Sequence, residues 1–110
     1  NVNIAAESAL IASLEDVNYL LSNVGKIIEE RERMFELINN LQRAKAWPSL
    51  GNYLMCEFQK NEAERVYVEL AAKGIFVRNF NSPRLRDCFR IAIGTASDTD
   101  KLIAAMKIIV

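Results

Sequence analysis

The chain has no histidine and little cysteine, glycine or proline: its 110 residues include 2 cysteines, 4 glycines and 2 prolines. Without histidine, the Ser-His and Cys-His pairs of common nucleophilic enzymes are excluded, and most zinc sites lose their usual ligand. Gly51 and Gly94 stand alone, so neither belongs to a glycine-rich phosphate loop. We therefore expect no metal ligands and no catalytic residue in this chain.

The chain also lacks an excess of charge and a long apolar run. Its 14 basic and 14 acidic residues give zero net charge, which argues against nucleic-acid binding. The longest apolar run, Leu102-Ile-Ala-Ala-Met106, is far below the ~20 residues of a membrane span. The two cysteines, Cys56 and Cys88, lie in apolar runs without CxxC spacing, which predicts reduced core thiols in a cytoplasmic protein.

What the sequence does contain is enough apolar material for one core. Hydrophobic residues make up 51% and charged residues 25% of the chain, as in an ordinary globular domain. The length predicts a single domain over residues 1–110. Because the first residue is asparagine and not methionine, we expect the chain to be a fragment of a longer protein.

Apolar residues recur every three or four positions in the first part of the chain, as one face of a helix requires. This stripe consists of Leu10, Leu14, Val17, Leu21, Val24 and Ile28. Gly25 costs about 1 kcal/mol in a helix interior, so we expect a kink or break there. The pattern predicts a long connecting helix or two helices over 1–42, resting on something larger, and a small α/β domain over 43–110.

The second part of the chain alternates short apolar runs with helical patterns. The apolar runs predict three strands, at 53–58, 75–78 and 88–93. One helix is predicted to begin at an Asn61 cap and to end before Gly74, and a final helix to begin at a Ser97 cap. The order predicts an α+β fold, in which a small, mostly antiparallel sheet of about three strands is covered by helices and preceded by a long N-terminal helix.

Two arginines occur in these apolar strands, Arg90 within 88–93 and Arg78 at the end of 75–78. An unpaired guanidinium inside a fold costs several kcal/mol, so such a residue usually has an anion beside it. Strand alternation puts Arg90 between the small Cys88 and Ala92, which leaves space for a bidentate carboxylate or phosphate contact. The two arginines therefore suggest a clamp for a ligand with two anionic groups.

Internal salt bridges are the alternative for these two arginines. Arg90 could pair with Glu57 on a neighbouring strand, and Arg78 could pair with Asp87. The residues by themselves leave both interpretations open.

Four segments, in order along the chain, resemble the C-terminal small domain of histidinol-phosphate aminotransferases. They are Asn1-Val-Asn3 with Glu30-Arg-Glu-Arg33, Pro48-Ser-Leu-Gly-Asn-Tyr53, Gly74-Ile-Phe-Val-Arg-Asn-Phe-Asn81, and Leu85-Arg-Asp-Cys-Phe-Arg-Ile-Ala-Ile-Gly-Thr95. These enzymes are fold-type-I transaminases that use pyridoxal 5'-phosphate. Asn79 stands where the family usually has aspartate.

The resemblance implies a role for each arginine. Arg90 matches the residue that binds the substrate α-carboxylate, and Arg78 matches one that helps bind the phosphate of histidinol phosphate. It also implies that the cofactor lysine lies upstream of Asn1, so that the fragment binds no cofactor and is inactive alone. Glutamate and imidazole-acetol phosphate are the implied substrates of the full enzyme, in histidine biosynthesis. The implied protein partners are the large domain of the same enzyme and a second subunit in a homodimer.

Two other functions fit the same residues. A threonine-phosphate decarboxylase, also dependent on pyridoxal 5'-phosphate, resembles the same pattern and handles a phosphorylated substrate. In a different class, the chain could be a non-catalytic α+β module that binds an anionic metabolite or a partner protein.

Overall fold

The computed structural model describes residues 2–80 and 82–110. Asn1, in the first of the four segments, and Asn81, in the loop after Arg78, lie outside these ranges. In the described ranges the elements are α1 (Ile4–Glu15), α2 (Val17–Asn39), β1 (Ala44–Trp47), β2 (Tyr53–Phe58), α3 (Ala63–Ala72), β3 (Arg78–Asn79), β4 (Cys88–Ala92) and α4 (Ala96–Ile109). The predicted α+β class is confirmed, and none of the helices in this part of the chain is long and apolar enough to cross a membrane.

The N-terminal helical region is two helices, and they separate at Asp16. The Asp16 backbone, with φ −114° and ψ 52°, is not helical, whereas the predicted break at Gly25 is wrong because α2 runs through it. The cost of about 1 kcal/mol for a helical glycine is small enough for α2 to absorb. Aspartate competes with the helix by bonding to nearby backbone, which favours a break at Asp16.

The sheet is antiparallel throughout, with strand order β1-β2-β4-β3. In the described part of the chain it has four strands and not three, because Ala44–Trp47 adds a short edge strand that was not predicted. Only Ala46 of that strand is buried, so its sequence carries almost no alternating signal. The strand predicted at 75–78 is shorter in the structure, where it comprises only Arg78–Asn79.

The core lies between one face of the sheet and the helices α2, α3 and α4. Its largest fully buried side chains are Phe89, Met34, Ile38, Leu54, Leu70 and Met106. The rings of Phe58 and Phe89 pack with centroids 4.6 Å apart between the two central strands. Buried residues of α2 occur only in its C-terminal half, and α1 has none. The sheet is therefore anchored to the end of α2, while α1 stands outside the core.

Arg33 joins α2 to the start of α4. Its guanidinium donates to the Glu30 carboxylate at 2.8 Å, to Asp100 at 2.9 Å and to the Ala96 carbonyl at 3.0 Å. The hydrogen bond from Arg33 is the main reason that the pKa of the largely buried Glu30 carboxyl is lowered. This cluster holds the two helices together at one edge of the core.

Helix α3 begins without the Asn61 cap that was predicted. Its N-cap residue is Glu62, which makes no side-chain cap bond. Asn61 has φ 68°, a left-handed conformation that asparagine tolerates, and its N–H donates to the Asp87 carboxylate at 2.8 Å. The predicted end of the helix is confirmed, since Gly74 follows it with φ 75°.

Helix α4 begins two residues earlier than predicted, at a Thr95 cap and not at Ser97. The Asp98 N–H donates to Thr95 Oγ1 at 3.3 Å, and the Thr95 N–H donates to Asp98 Oδ2 at 2.9 Å. This reciprocal pair is a capping box. A Cβ at Gly94 would lie 2.8 Å from Asp98 Oδ2, so the glycine leaves room for the capping carboxylate.

Candidate functional site

The face of the sheet opposite the core carries most of its polar and aromatic side chains. Because Leu54, Cys56 and Phe58 of β2 point into the core, the alternate residues point the other way. We call this side the open face; its residues are Lys45, Trp47, Tyr53, Met55, Glu57, Arg78, Cys88, Arg90 and Ala92. Several of them are exposed, and the rest are half-buried. The open face is the surface on which both candidate arginines lie.

Arg78 and Arg90 are directly opposite each other on adjacent antiparallel strands. Arg90 is half-buried, next to Met55 of the central strand, whereas Arg78 is exposed at the edge of the sheet. Directly opposed like charges destabilise a sheet, so this arrangement costs free energy unless an anion lies near both. The structure thus brings the two predicted residues together at one place.

The salt bridges that could have explained these arginines are not formed. Within residues 2–80 and 82–110, neither Arg78 nor Arg90 is paired with an acid. Glu57 accepts a hydrogen bond from the Trp47 indole N–H at 2.9 Å instead. The Asp87 carboxylate accepts a backbone N–H from the loop before α3 at 2.8 Å. Both acids are engaged elsewhere.

Aromatic rings flank both arginines. The guanidinium carbon of Arg90 lies 5.1 Å from the centroid of the Tyr53 ring, and that of Arg78 lies 5.8 Å from the Phe80 ring. Both distances are within the ~6 Å range of cation–π attraction. A ring face uses none of the guanidinium N–H groups, so these donors stay available to a bound anion. Neither Tyr53 nor Phe80 was predicted as a site residue: Tyr53 begins β2, on a different strand from Arg90, and Phe80 directly follows β3.

The two cysteines differ in position. Cys56 is buried in the core, as predicted, but Cys88 lies on the open face and is half-buried. Both are free thiols. Burial raises the pKa of Cys56 to about 12, and burial together with the charges of Glu57 and Asp87 raises the pKa of Cys88. Neither thiol is therefore an activated nucleophile.

The lysines of the described ranges do not lie in the environment that activates a Schiff-base lysine. Such a lysine is activated by burial in an apolar pocket or by a cationic neighbour. All six lysines are exposed: Lys26, Lys45, Lys60, Lys73, Lys101 and Lys107. Nor do residues 2–80 and 82–110 contain a cluster of three or more potential metal ligands. The feature that distinguishes the open face is its pair of arginines without an acid partner in the described ranges.

Comparison with known proteins gives consistent matches over nearly the whole chain. Residues 1–106 match the family described as aminotransferase class I and II. The chain is 37% identical over 106 residues to histidinol-phosphate aminotransferase of Dehalococcoides mccartyi strain CBDB1, covering 96% of this chain and 30% of that protein. It is 39% identical over 110 residues to the enzyme of the same name from Roseiflexus castenholzii. That match covers 97% of this chain and 30% of that protein.

A solved structure agrees with these matches. Histidinol-phosphate aminotransferase from Sinorhizobium meliloti, in complex with pyridoxal-5'-phosphate, superposes with a TM-score of 0.82 at 27% identity. The aligned region covers 90% of this chain and 27% of that one.

The antiparallel sheet and its helical cover define an α+β domain, and the arginine pair lies on the open face of its sheet. The chain belongs to the aminotransferase class I and II family. It spans about 30% of the length of the relatives named above, and matches their C-terminal part.

Proposed function

We propose that this chain is the C-terminal substrate-binding domain of a pyridoxal 5'-phosphate-dependent aminotransferase, a histidinol-phosphate aminotransferase of histidine biosynthesis. The observation that carries the proposal is the opposed Arg78–Arg90 pair, which has no acid partner in the described ranges. Relatives with 37% and 39% identity that bear this enzyme's name support the choice of substrate.

The two arginines form one shared anion site in this proposal. Glutamate presents a carboxylate on its α-carbon, whereas histidinol phosphate has a phosphate ester at the corresponding end. Arg90, fixed and half-buried in the sheet, binds the carboxylate of glutamate and part of the phosphate. Arg78, exposed at the strand end, supplies the additional N–H donors that the larger and more highly charged phosphate requires.

Binding this end of the substrate orients the reacting carbon. A transaminase must hold the Cα–H bond nearly perpendicular to the cofactor ring, and a bidentate arginine contact restricts rotation of the substrate. Pyridoxal 5'-phosphate, when bound, acts as the electron sink for the α-carbon. Since the lysines of this chain are exposed, the residues that hold the cofactor are expected in the large domain of the same enzyme.

Several further features belong to the same proposal. Residues 1–110 form one domain of a longer enzyme, with 1–42 connecting it to the large domain. The enzyme is a cytoplasmic homodimer, and the isolated chain is inactive and binds no cofactor. In the full enzyme, glutamate donates the amino group and imidazole-acetol phosphate receives it.

An activity assay of the full-length protein tests the substrate assignment. Purified enzyme with pyridoxal 5'-phosphate is given glutamate and imidazole-acetol phosphate, and formation of 2-oxoglutarate is followed. In parallel, release of CO₂ from threonine phosphate is measured. Glutamate-dependent amination without CO₂ release supports the proposal. CO₂ release without amination shows a decarboxylase, and absence of both activities favours a non-catalytic module.

A further inference from the structure

We propose that Tyr53 is a positioning residue that aligns the Arg90 guanidinium for the substrate carboxylate. This inference rests on the proposed function and adds a residue to its site. Tyr53 itself need not touch the substrate; it acts through Arg90.

Sheet register places Tyr53 diagonally across from Arg90. Tyr53 pairs with Ala92, and Met55 pairs with Arg90, so the tyrosine and the arginine are diagonal neighbours on one face. Long and aromatic side chains reach each other across that diagonal. The observed distance of 5.1 Å from the guanidinium carbon to the ring centroid confirms the contact.

The turn before β2 holds the tyrosine ring from the other side. A Cβ at Gly51 would lie 3.1 Å from Tyr53 Cε1, so the ring packs closely on the glycine backbone. That glycine is itself fixed, because its carbonyl accepts a hydrogen bond from buried Arg31 at 3.2 Å. Its N–H donates to Ser49 Oγ at 3.0 Å. A buried residue of α2 thereby fixes the turn, and the turn restricts the ring.

A cation–π contact suits an arginine that must bind an anion. An acidic partner would also orient Arg90, but it would occupy the N–H donors and compete with a substrate carboxylate. The face of Tyr53 orients the guanidinium plane and leaves its donors free. Tyr53 can therefore hold Arg90 in place while the N–H donors of Arg90 remain free for the substrate.

The test compares Tyr53→Leu with Tyr53→Phe in the full-length enzyme. Tyr53 is 39% exposed, so leucine leaves no large core cavity. We expect Tyr53→Leu to raise both KM for glutamate and Kd for α-methylglutamate by about 5- to 30-fold, the upper part of the range for a lost cation–π contact, because Arg90 is half-buried. The α-methyl compound lacks the α-hydrogen and binds without being transaminated, so its Kd reports binding alone. Phenylalanine keeps the ring and should stay within about 2-fold of wild type.

The phenylalanine variant separates the ring from the hydroxyl group. Within residues 2–80 and 82–110, the Tyr53 hydroxyl makes no hydrogen bond, so its removal should be neutral. An equal rise of KM and Kd in Tyr53→Phe and Tyr53→Leu would overturn the inference. So would a leucine variant whose KM and Kd match wild type, or one that loses only kcat or thermal stability.

Arg90→Ala distinguishes failure of the inference from failure of the proposed function. If Arg90→Ala weakens glutamate binding but Tyr53→Leu does not, only the positioning role is wrong. If neither variant changes KM for glutamate or Kd for α-methylglutamate, the carboxylate site itself is wrong.

Discussion

At the scale of single residues, the two candidate arginines have different surroundings. Arg90 occupies the third of four strands in spatial order and is half-buried, whereas Arg78 is exposed on the edge strand. A half-buried cation between neighbouring strands is the better fixed of the two. The exposed cation can adjust to the larger of two anions. In the proposed site, Arg90 therefore contributes to the binding of both substrates, whereas Arg78 contributes mainly to that of the phosphorylated one.

Arg78→Ala should impair the phosphorylated substrate more than glutamate. The loss of a hydrogen bond between charged groups costs about 1.5–3 kcal/mol, or roughly 10- to 150-fold in kcat/KM for imidazole-acetol phosphate. The kcat/KM for glutamate should fall by less than about 3-fold. Steady-state kinetics of the full-length enzyme provide both values.

Arg84→Ala is the matched control for this variant, because Arg84 is an exposed arginine in the loop between β3 and β4. Its kinetics should remain those of wild type. An equal loss with glutamate and the phosphorylated substrate in Arg78→Ala would show a merely structural role for Arg78.

The sequence pointed to Arg78 and Arg90 as candidate residues but did not predict that they lie opposite each other. Period-two alternation put Arg90 on the face away from the core, and that holds in the structure. The direct opposition of Arg78 to Arg90 depends on the register set by the intervening loop, which no local pattern specifies. Asn79 has a structural partner as well: its side-chain amide donates to Glu64 Oε2 at 2.8 Å, a contact that an ionised aspartate would make repulsive.

At the scale of elements, strands with a pronounced apolar run could be predicted from the sequence, and strands without one could not. The strands β2 and β4 are short, largely apolar runs, and their predicted bounds agree with the structure to within one residue. The edge strand β1 is four residues long with one buried side chain, so packing and not sequence pattern defines it. The cap of α4 was misplaced because Thr95, Ser97 and Asp98 compete near its start, and the cap of α3 because Asn61 takes a left-handed conformation instead.

We expect the capping box of α4 to stabilise the fold less at acidic pH than at neutral pH. Hydrogen bonds from the Thr95 side chain and backbone lower the pKa of Asp98 below its ordinary value. A lowered folded-state pKa means that the ionised Asp98 contributes stability above the unfolded pKa, about 3.9, and loses it as pH falls through the folded value. Asp98→Asn should therefore destabilise the chain at pH 7, and the difference from wild type should shrink below about pH 4.

Urea unfolding of the chain at pH 7 and at pH 2.5 measures this difference. Asp16→Asn is the control, because Asp16 also precedes a helix but makes no side-chain cap bond. That variant should match wild type at both pH values. A stability difference between Asp98→Asn and wild type that stays constant with pH would rule out the charged cap.

At the scale of the whole molecule, the chain is elongated. Its radius of gyration is 16.5 Å, and its principal extents are 46 × 30 × 25 Å. A compact domain of this length would have a radius near 13 Å. The excess comes from α1 and the first half of α2, whose apolar residues lie outside the core. In the proposed enzyme, this region lies against the large domain.

The isolated chain should therefore self-associate. Leu10, Leu14 and Leu21 are exposed by 59%, 63% and 57%, and apolar side chains exposed in such numbers favour association. Light scattering over increasing concentration should show a rising mean mass. Replacing all three leucines by glutamate should restore a monomer.

Ile108→Glu serves as the control for self-association, since Ile108 is 78% exposed but lies on α4, far along the chain from the leucines. It should associate as wild type does. A wild-type chain that remains monomeric at high concentration would contradict the docking role assigned to α1.

The most direct test of the central claim is kcat/KM of Arg90→Ala in the full-length enzyme, measured with glutamate and with imidazole-acetol phosphate. Loss of a bidentate, charge-assisted contact predicts a fall of at least about 100-fold with glutamate. A clear fall is also expected with the phosphorylated substrate, because Arg90 shares its phosphate. Values within a few-fold of wild type for both substrates would contradict the proposal that the open face of this sheet binds the substrate.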